Sequence, residues 1–303
     1  ESAGGVDTLA MMASPLAEGL FHRAIVQSGG FNTTSLEVAR NPASQGGHPF
    51  SSSEVLGKLL VADGTVSDEN AAYKYTQDMS RTNLRQYLYG KKPDEFYAVF
   101  SDGGLGMVNL PAILGDGFVL PNMTTAEIFS NADNYNQVPV ILGTNRDEPT
   151  LFMFRDPRYV ENFLGFLPRL KDEAAYLQLV KYGALAWKER GVDSLARAMI
   201  SSGNPDVYTY RFDWDEEPDL LGMELSKVLG AAHGLEIAFA FNDFEGRFDT
   251  SYIYPNDEAQ FALADSMSSY WTAFATDGDP GRGQRGDQVH WLSWGTQGMR
   301  SII

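Results

Sequence analysis

Three side chains of this sequence could together run nucleophilic acyl chemistry: Ser2, Glu148 and His233. A serine hydroxyl is a weak nucleophile at neutral pH and needs a base within hydrogen-bond reach. Histidine supplies that base because it titrates near neutrality, and a carboxylate holds its tautomer and steadies its charged form. Ser2 stands in Glu1-Ser2-Ala3-Gly4-Gly5, just ahead of a helical stretch. Glu148 closes Gly143-Thr144-Asn145-Arg146-Asp147-Glu148 after an apolar run, and His233 lies in Gly230-Ala231-Ala232-His233-Gly234. Each has a plainer reading. A serine beside glycines is usually a loop residue, and Glu148 could cap the helix that follows, with Asp147 as the competing carboxylate. Among four histidines, His22 precedes a strand, His48 sits in a Ser/Gly-rich loop and His290 adjoins Trp291 in the tail, so the Gly-flanked His233 fits best.

Strands and helices must deliver these residues. Ala24-Ile25-Val26 followed by Gln27-Ser28-Gly29-Gly30 reads as a buried strand feeding a loop. Before it, Val6, Leu9, Met11, Met12 and Leu16 predict a helix that Pro15 disturbs near its end. Residues 31–51 read as a long surface loop, and Ser51–Leu60, Asp68–Met79 and Tyr87–Phe100 as helices. Val138 to Gly143 is a second buried strand, with Pro139 tolerated near its start. Residues 158–200 read as mostly helical, with Leu164, Phe166, Leu170, Tyr176, Leu177, Leu179, Trp187 and Leu195 as apolar positions. Val207 to Trp214 is an aromatic-rich strand. Asp257 to Thr276 repeats apolar residues at three and four, and Gly278 with Pro280 stops it. Strands separated by helices predict an α/β class with a mostly parallel sheet, whose ligands sit beyond the carboxyl ends of the strands.

Several segments, in order, resemble the type-B carboxylesterases, the carboxylesterase/cholinesterase branch of the α/β-hydrolases. They are Glu1 to Gly5, Leu20 to Gly29, Asp116 to Pro121, Val138 to Glu148, His233 to Ile237, and Tyr270 to Ala275 with Gly278-Asp279-Pro280. The resemblance runs from residue 1 to about 295. It implies an α/β-hydrolase fold, with 1–303 as part of one catalytic domain and a helical cap-like region at about 158–200. It implies Ser2 as nucleophile, His233 as base and Glu148, rather than Asp147, as the acidic member. The Ala3 amide, at a helix N-terminus, can donate to a developing oxyanion. Glu1 would support the imidazolium field, and Ser28 would lie near the triad. Glu236 follows His233 by three and would share its face in a helical turn. The plainer alternatives are a capped turn for Ser28 and a solvated carboxylate for Glu236. Phe152, Phe154, Phe239 and Phe241 are candidates for an acyl or alcohol pocket, with core packing as the alternative.

The implied activity is hydrolysis of small aliphatic or aryl esters through an acyl-enzyme, with no metal or organic cofactor. A non-catalytic adhesion or binding protein on the same fold is the rival reading. A lipase would need an amphipathic lid, which 158–200 does not spell out. The first glycine of the family's Gly-x-Ser-x-Gly motif, its preceding strand and a Gly-rich oxyanion loop would stand before Glu1. Residues 1–303 are therefore expected to be the C-terminal portion of the domain and inactive alone. Pro149 stands where the family often has glycine, and suits a first helical turn. Asp277-Gly278-Asp279 lacks the spaced ligands of a calcium loop, so a helix stop is expected. Asn32 and Asn122 open glycosylation sequons, a common chance match.

Composition narrows the remaining classes. With 40 acidic and 23 basic residues among 303, the net charge is −17, which argues against a nucleic-acid partner. No cysteine is present, so disulfides, thiolate metal sites and a cysteine nucleophile are excluded. No apolar run has the length of a membrane span. Oligomeric state and compartment are not written in this pattern.

Overall fold

A computed structural model of the chain describes residues 1–100, 102–104, 107–108, 111–163, 167–219, 221, 224–245, 253–296, 298 and 301–302. Two compact units divide it: Glu1–Phe31 with Thr124–Ile303, and Asn32–Met123. The first unit carries all three chemical side chains.

Its centre is a parallel three-stranded sheet ordered Ala24–Gln27, Val140–Asn145, Val207–Phe212. The register sets Gln27 beside Gly143, and Gly143 beside Tyr210. All six residues of Val140–Asn145 are buried. Burial on both faces, with helical crossovers between parallel strands, explains why that strand reads as one apolar run instead of alternating. Gly143 is dictated by its neighbour: a Cβ there would lie 1.7 Å from Cε1 of the Tyr210 ring.

The leading helix, Ala3–Ala13, packs its start on the end of the first strand, and a Cβ on Gly5 would meet the Gly29 Cα at 2.9 Å. It stops at Ser14, and Pro15 opens a short 3-10 turn, as the proline requires. Helix Glu258–Asp277 starts with Asp257 accepting from the Gln260 N–H and ends on Gly278 in the left-handed conformation, so 277–279 serves as a helix stop. Below the sheet edge, Tyr208, Tyr210, Phe212, Trp214, Phe239, Tyr254, Tyr270, Phe274 and Trp291 form an aromatic core. Its ring pairs are mostly edge-on, as between Tyr210 and Trp271 at 5.0 Å.

The expected helical run over 158–200 is corrected at its start. Val160–Phe163 pairs antiparallel with Leu167–Leu170, and helix begins only at Glu173. Pro157 and Pro168 explain this, since each removes a donor and clashes with a preceding helical turn. Leu164 and Phe166 lie outside the described residues. Helix Glu173–Lys188 then passes through one π-turn, Glu189–Asp193, into helix Ser194–Ser201.

In the second unit, helices Ser52–Ala62 and Glu69–Gln77 fall where expected. The 87–100 stretch is divided: Arg81–Tyr89 ends at Gly90, and Pro93 opens Pro93–Tyr97. The supposed loop at 31–51 holds a strand, Thr33–Thr34, parallel to Ile113–Leu114, and a helix, Leu36–Arg40, capped by the Ser35 hydroxyl. Among the described residues, no helix is long and apolar enough to cross a membrane.

Candidate active site

Ser2 sits at the turn into the first helix with φ 53° and ψ −122°, a conformation that costs a non-glycine residue about 1–3 kcal/mol. The turn is pinned from outside. The Ser2 N–H donates to the Gln27 carbonyl at 3.0 Å, and the Glu1 and Ser2 carbonyls accept from Gly5 and Val6. A serine in this position normally caps its own helix, but Ser2 makes no such bond. Its hydroxyl is aimed instead at the histidine: Ser2 Oγ lies 2.8 Å from His233 Nε2.

On the other side of the ring, His233 Nδ1 lies 2.5 Å from Glu148 Oε2. The remaining Glu148 oxygen, Oε1, accepts from the Thr144 hydroxyl and the Asn145 N–H, both at 2.8 Å. The carboxylate is wholly buried and both its oxygens are engaged. Asp147, the competitor, is occupied elsewhere: its Oδ2 accepts from Arg146 and from the Ala231 N–H. The structure thus brings together Ser2 from the turn into the first helix, Glu148 from just beyond the strand Val140–Asn145, and His233 from the loop after helix Leu225–Val228.

Two further carboxylates surround the imidazole. Glu1 Oε1 stands 3.2 Å from His233 Nε2 and pairs with it when the ring is protonated. Glu236 is fully buried, so it is not a solvated carboxylate. It accepts from Gln27 Nε2 at 3.1 Å and Asn145 Nδ2 at 2.6 Å. Burial pushes the Glu236 carboxyl up to about 7, against the pull of the Asn145 and Gln27 bonds and with the push of the Glu1 and Glu148 charges. Burial also raises Glu1, opposed by the facing His233. Burial alone would lower His233, but the hydrogen bond to Glu148 and the charges of Glu148, Glu1 and Glu236 outweigh it, so its pKa is raised.

Ala3 is the first residue of the helix, and its N–H makes no hydrogen bond among the described residues. That leaves a helix N-terminal donor next in sequence to Ser2. Ser28 is buried at φ 51°; its hydroxyl has no partner among the described residues, and no hydrogen bond joins it to the three. Its carbonyl accepts from Trp187 Nε1 at 3.3 Å. Of the four phenylalanines considered, only Phe152 packs on the imidazole, at 5.3 Å between centroids. Phe239 is at the centre of the aromatic core, Phe154 packs against that core, and Phe241 is exposed. Trp187, read from sequence only as an apolar position of the 158–200 stretch, lies 5.0 Å from the His233 ring and stacks on Phe152 at 6.1 Å. Gln27, Thr144 and Asn145 were missed too. The available signal was a polar residue placed at the carboxyl end of a strand that reads as buried.

Comparison with known proteins gives one family. The carboxylesterase family model matches residues 1–189 and 188–301. Rat (Rattus norvegicus) carboxylesterase 1E is 28% identical over 315 residues, aligning 92% of this chain with 51% of that protein. Para-nitrobenzyl esterase of Bacillus subtilis is 25% identical over 321 residues, aligning 100% of the chain with 57% of that protein. Human (Homo sapiens) cocaine esterase is 26% identical, aligning 92% with 49%. A solved PNB esterase superposes with a TM-score of 0.60 at 20% identity, over 95% of this chain and 55% of that one. The chain spans about half the length of these relatives.

Proposed function

The chain belongs to the carboxylesterase family and shares the α/β-hydrolase fold, and on that premise we propose that the whole protein is a serine carboxylic-ester hydrolase working through an acyl-enzyme. The observation that carries the proposal is the unbroken chain Ser2 Oγ–His233 Nε2, His233 Nδ1–Glu148 Oε2, at 2.8 and 2.5 Å.

The chemistry follows from which atom faces which. With Glu148 holding the proton on Nδ1, Nε2 is free to accept. Ser2 Oγ attacks the ester carbonyl carbon as its proton passes to His233 Nε2. The carbonyl oxygen becomes an oxyanion, to which the Ala3 N–H donates. The intermediate collapses, the C–O bond to the alcohol breaks, and His233 returns the proton to the leaving alkoxide. A water then gives its proton to Nε2 and attacks the acyl-Ser2 carbonyl, releasing the acid and restoring Ser2. Glu148 at Nδ1, Glu1 at Nε2 and the buried Glu236 stabilise the imidazolium in both steps. The raised pKa of His233 places the acid limb of kcat/KM above the ordinary histidine value, because only the neutral ring can act as base.

The flat rings of Phe152 and Trp187 beside His233 support small aliphatic or aryl esters as substrates. The relatives named for a para-nitrobenzyl ester and for cocaine agree with that class. The test is labelling of the whole protein by a fluorophosphonate probe, together with p-nitrophenyl acetate hydrolysis. Ser2 takes the label, and Ser2→Ala loses both label and turnover. A folded protein that takes no label at Ser2 refutes the hydrolase reading in favour of a non-catalytic binding protein on the same fold.

A further inference from the structure

The segment bearing His233 is laced, backbone group by backbone group, to helix Glu173–Lys188 and to the segment bearing Glu148. The Val228 carbonyl accepts from the Tyr176 hydroxyl at 2.8 Å, and the Leu229 carbonyl from the Thr150 hydroxyl at 2.6 Å. Ala231 is held twice by Asp147, its carbonyl by the Asp147 N–H at 3.0 Å and its N–H by Oδ2 at 3.1 Å. The Ala232 carbonyl, one residue before the histidine, accepts from Asn145 Nδ2 at 2.7 Å. No other residue of this lacing also touches the triad acid. Asn145 does, through its own N–H to Glu148 Oε1, and its Nδ2 is shared with the buried Glu236.

We propose that Asn145 is a positioning residue for the hydrolytic reaction, one that couples the acid loop, the histidine loop and the buried Glu236 into a single unit. The inference rests on the hydrolase reading above. Asn145 is 1% exposed, so no water replaces a deleted amide at low cost. Its two side-chain bonds do different work. The bond to Ala232 fixes where His233 stands relative to Ser2. The bond to Glu236 stabilises the ionised form of that carboxyl, one of the negative neighbours that raise His233. An aspartate here would turn both donors into acceptors facing acceptors. Asparagine is the side chain of that size that can donate to a carbonyl and a carboxylate at once.

The groups facing Glu236 are Glu1, Glu148, Tyr210 and Tyr254, and Glu236 in turn acts on His233. Loss of the Asn145 amide therefore pushes the Glu236 carboxyl further up, leaves it protonated at neutral pH and removes one negative neighbour of His233. The acid limb of the pH–rate profile moves to lower pH as a result. A residue acting only on stability does not move that limb.

The experiment uses the whole protein and p-nitrophenyl acetate, with active sites counted by fluorophosphonate titration so that misfolded molecules do not enter kcat. Asn145→Ala is expected to lower kcat per titrated site tenfold or more, with KM changed less than threefold, and to shift the acid limb downward. In a Glu236→Gln background the same substitution is expected to lower kcat again but leave the limb where it is. A wild-type kcat per titrated site, or an unmoved limb in the Asn145→Ala single variant, overturns the proposal. Should Asn145→Ala fail to fold, Asn145→Leu keeps the volume without the donors and is held to the same two outcomes. If the wild-type protein is not labelled at Ser2, the hydrolase reading fails first. If it is labelled and turns over while the variant matches wild type, only the role of Asn145 fails.

Discussion

Glu148→Gln changes one atom, and the structure says why that atom matters. Glu148 Oε1 accepts from a backbone N–H, that of Asn145, and from the Thr144 hydroxyl. A glutamine in this wholly buried place has two orientations. With its NH2 toward Asn145 it sets donor against donor, and a backbone N–H cannot turn away. With its carbonyl toward Asn145 both old bonds survive, so this orientation wins. The NH2 then faces His233 Nδ1, which must become an acceptor. The ring proton moves to Nε2, where Ser2 Oγ stands 2.8 Å away, and the base is lost. A wrong tautomer of this kind typically costs about 10⁴ in kcat. That corresponds to roughly 5.4 kcal/mol of transition-state stabilisation. The assay is kcat for p-nitrophenyl acetate with the whole protein, with circular dichroism confirming the fold. KM is expected to stay within about threefold, since Glu148 is buried behind the ring. Asp147→Asn is the comparison. Asp147 has no bond to His233, so kcat is expected to fall by about tenfold at most. If Glu148→Gln keeps more than about a tenth of the wild-type kcat, or Asp147→Asn proves the more damaging, the tautomer argument is wrong.

Three further outcomes follow from individual contacts. Trp187→Ala takes away one of two rings flanking the imidazole; at about 0.5–1 kcal/mol for a cation–π contact, turnover falls two- to fivefold, and an unchanged rate refutes the contact's role. Glu217 is buried with neither oxygen partnered among the described residues, and burial foremost, with the Asp215 and Asp147 charges, pushes it from 4.5 up to about 8. Because its folded pKa is raised, the stability it contributes is present below the unfolded value and is lost as pH rises through about 8. Glu217→Gln should therefore raise the unfolding free energy more at pH 9 than at pH 5, by up to about a few kcal/mol as read from denaturant titrations, and an equal effect at both pH values contradicts this. Gly143→Ala sets a methyl inside the Tyr210 ring and is expected to cost at least the about 1–3 kcal/mol of ordinary overpacking, read as a lower Tm. A Tm unchanged within error shows that the ring can move aside.

Much of the site was legible because it is written in short, local patterns. The apolar runs at Ala24 and Val140, the aromatic strand at Val207 and the glycines around His233 each reflect one strand or one turn. Those glycines also separated His233 from the other histidines. Preference for Glu148 over Asp147 came only from family resemblance, since adjacent acids look alike in sequence; the geometry separates them, because Asp147 is spent on Arg146 and the Ala231 N–H. The 158–171 region was misread because apolar spacing was weighed without the two prolines that break a helix there. Ser28 was expected beside the triad, but its hydroxyl makes no bond to it. What holds its segment is the Ser28 backbone, its N–H donating to the Gly143 carbonyl and its carbonyl accepting from Trp187, and a backbone group carries no residue-specific signal.

The sequence by itself determined the chemical types available: one well-placed histidine, a serine followed by the small residues Ala3 and Gly4, and strands apolar enough to be buried on both faces. No cysteine occurs among these 303 residues, so none of them supplies a thiol. Tertiary structure alone decided what surrounds the imidazole. Trp187 and Phe152 reach it from different helices, and Glu236 meets Asn145 and Gln27 at the ends of two neighbouring strands. Those meetings depend on the register that sets Gln27 beside Gly143 and Gly143 beside Tyr210. Register is a property of packed strands, because the side-chain period of two turns any one-residue slip into a change of face. No single segment contains that information, so the residues that tune His233 could be found only once the sheet was assembled.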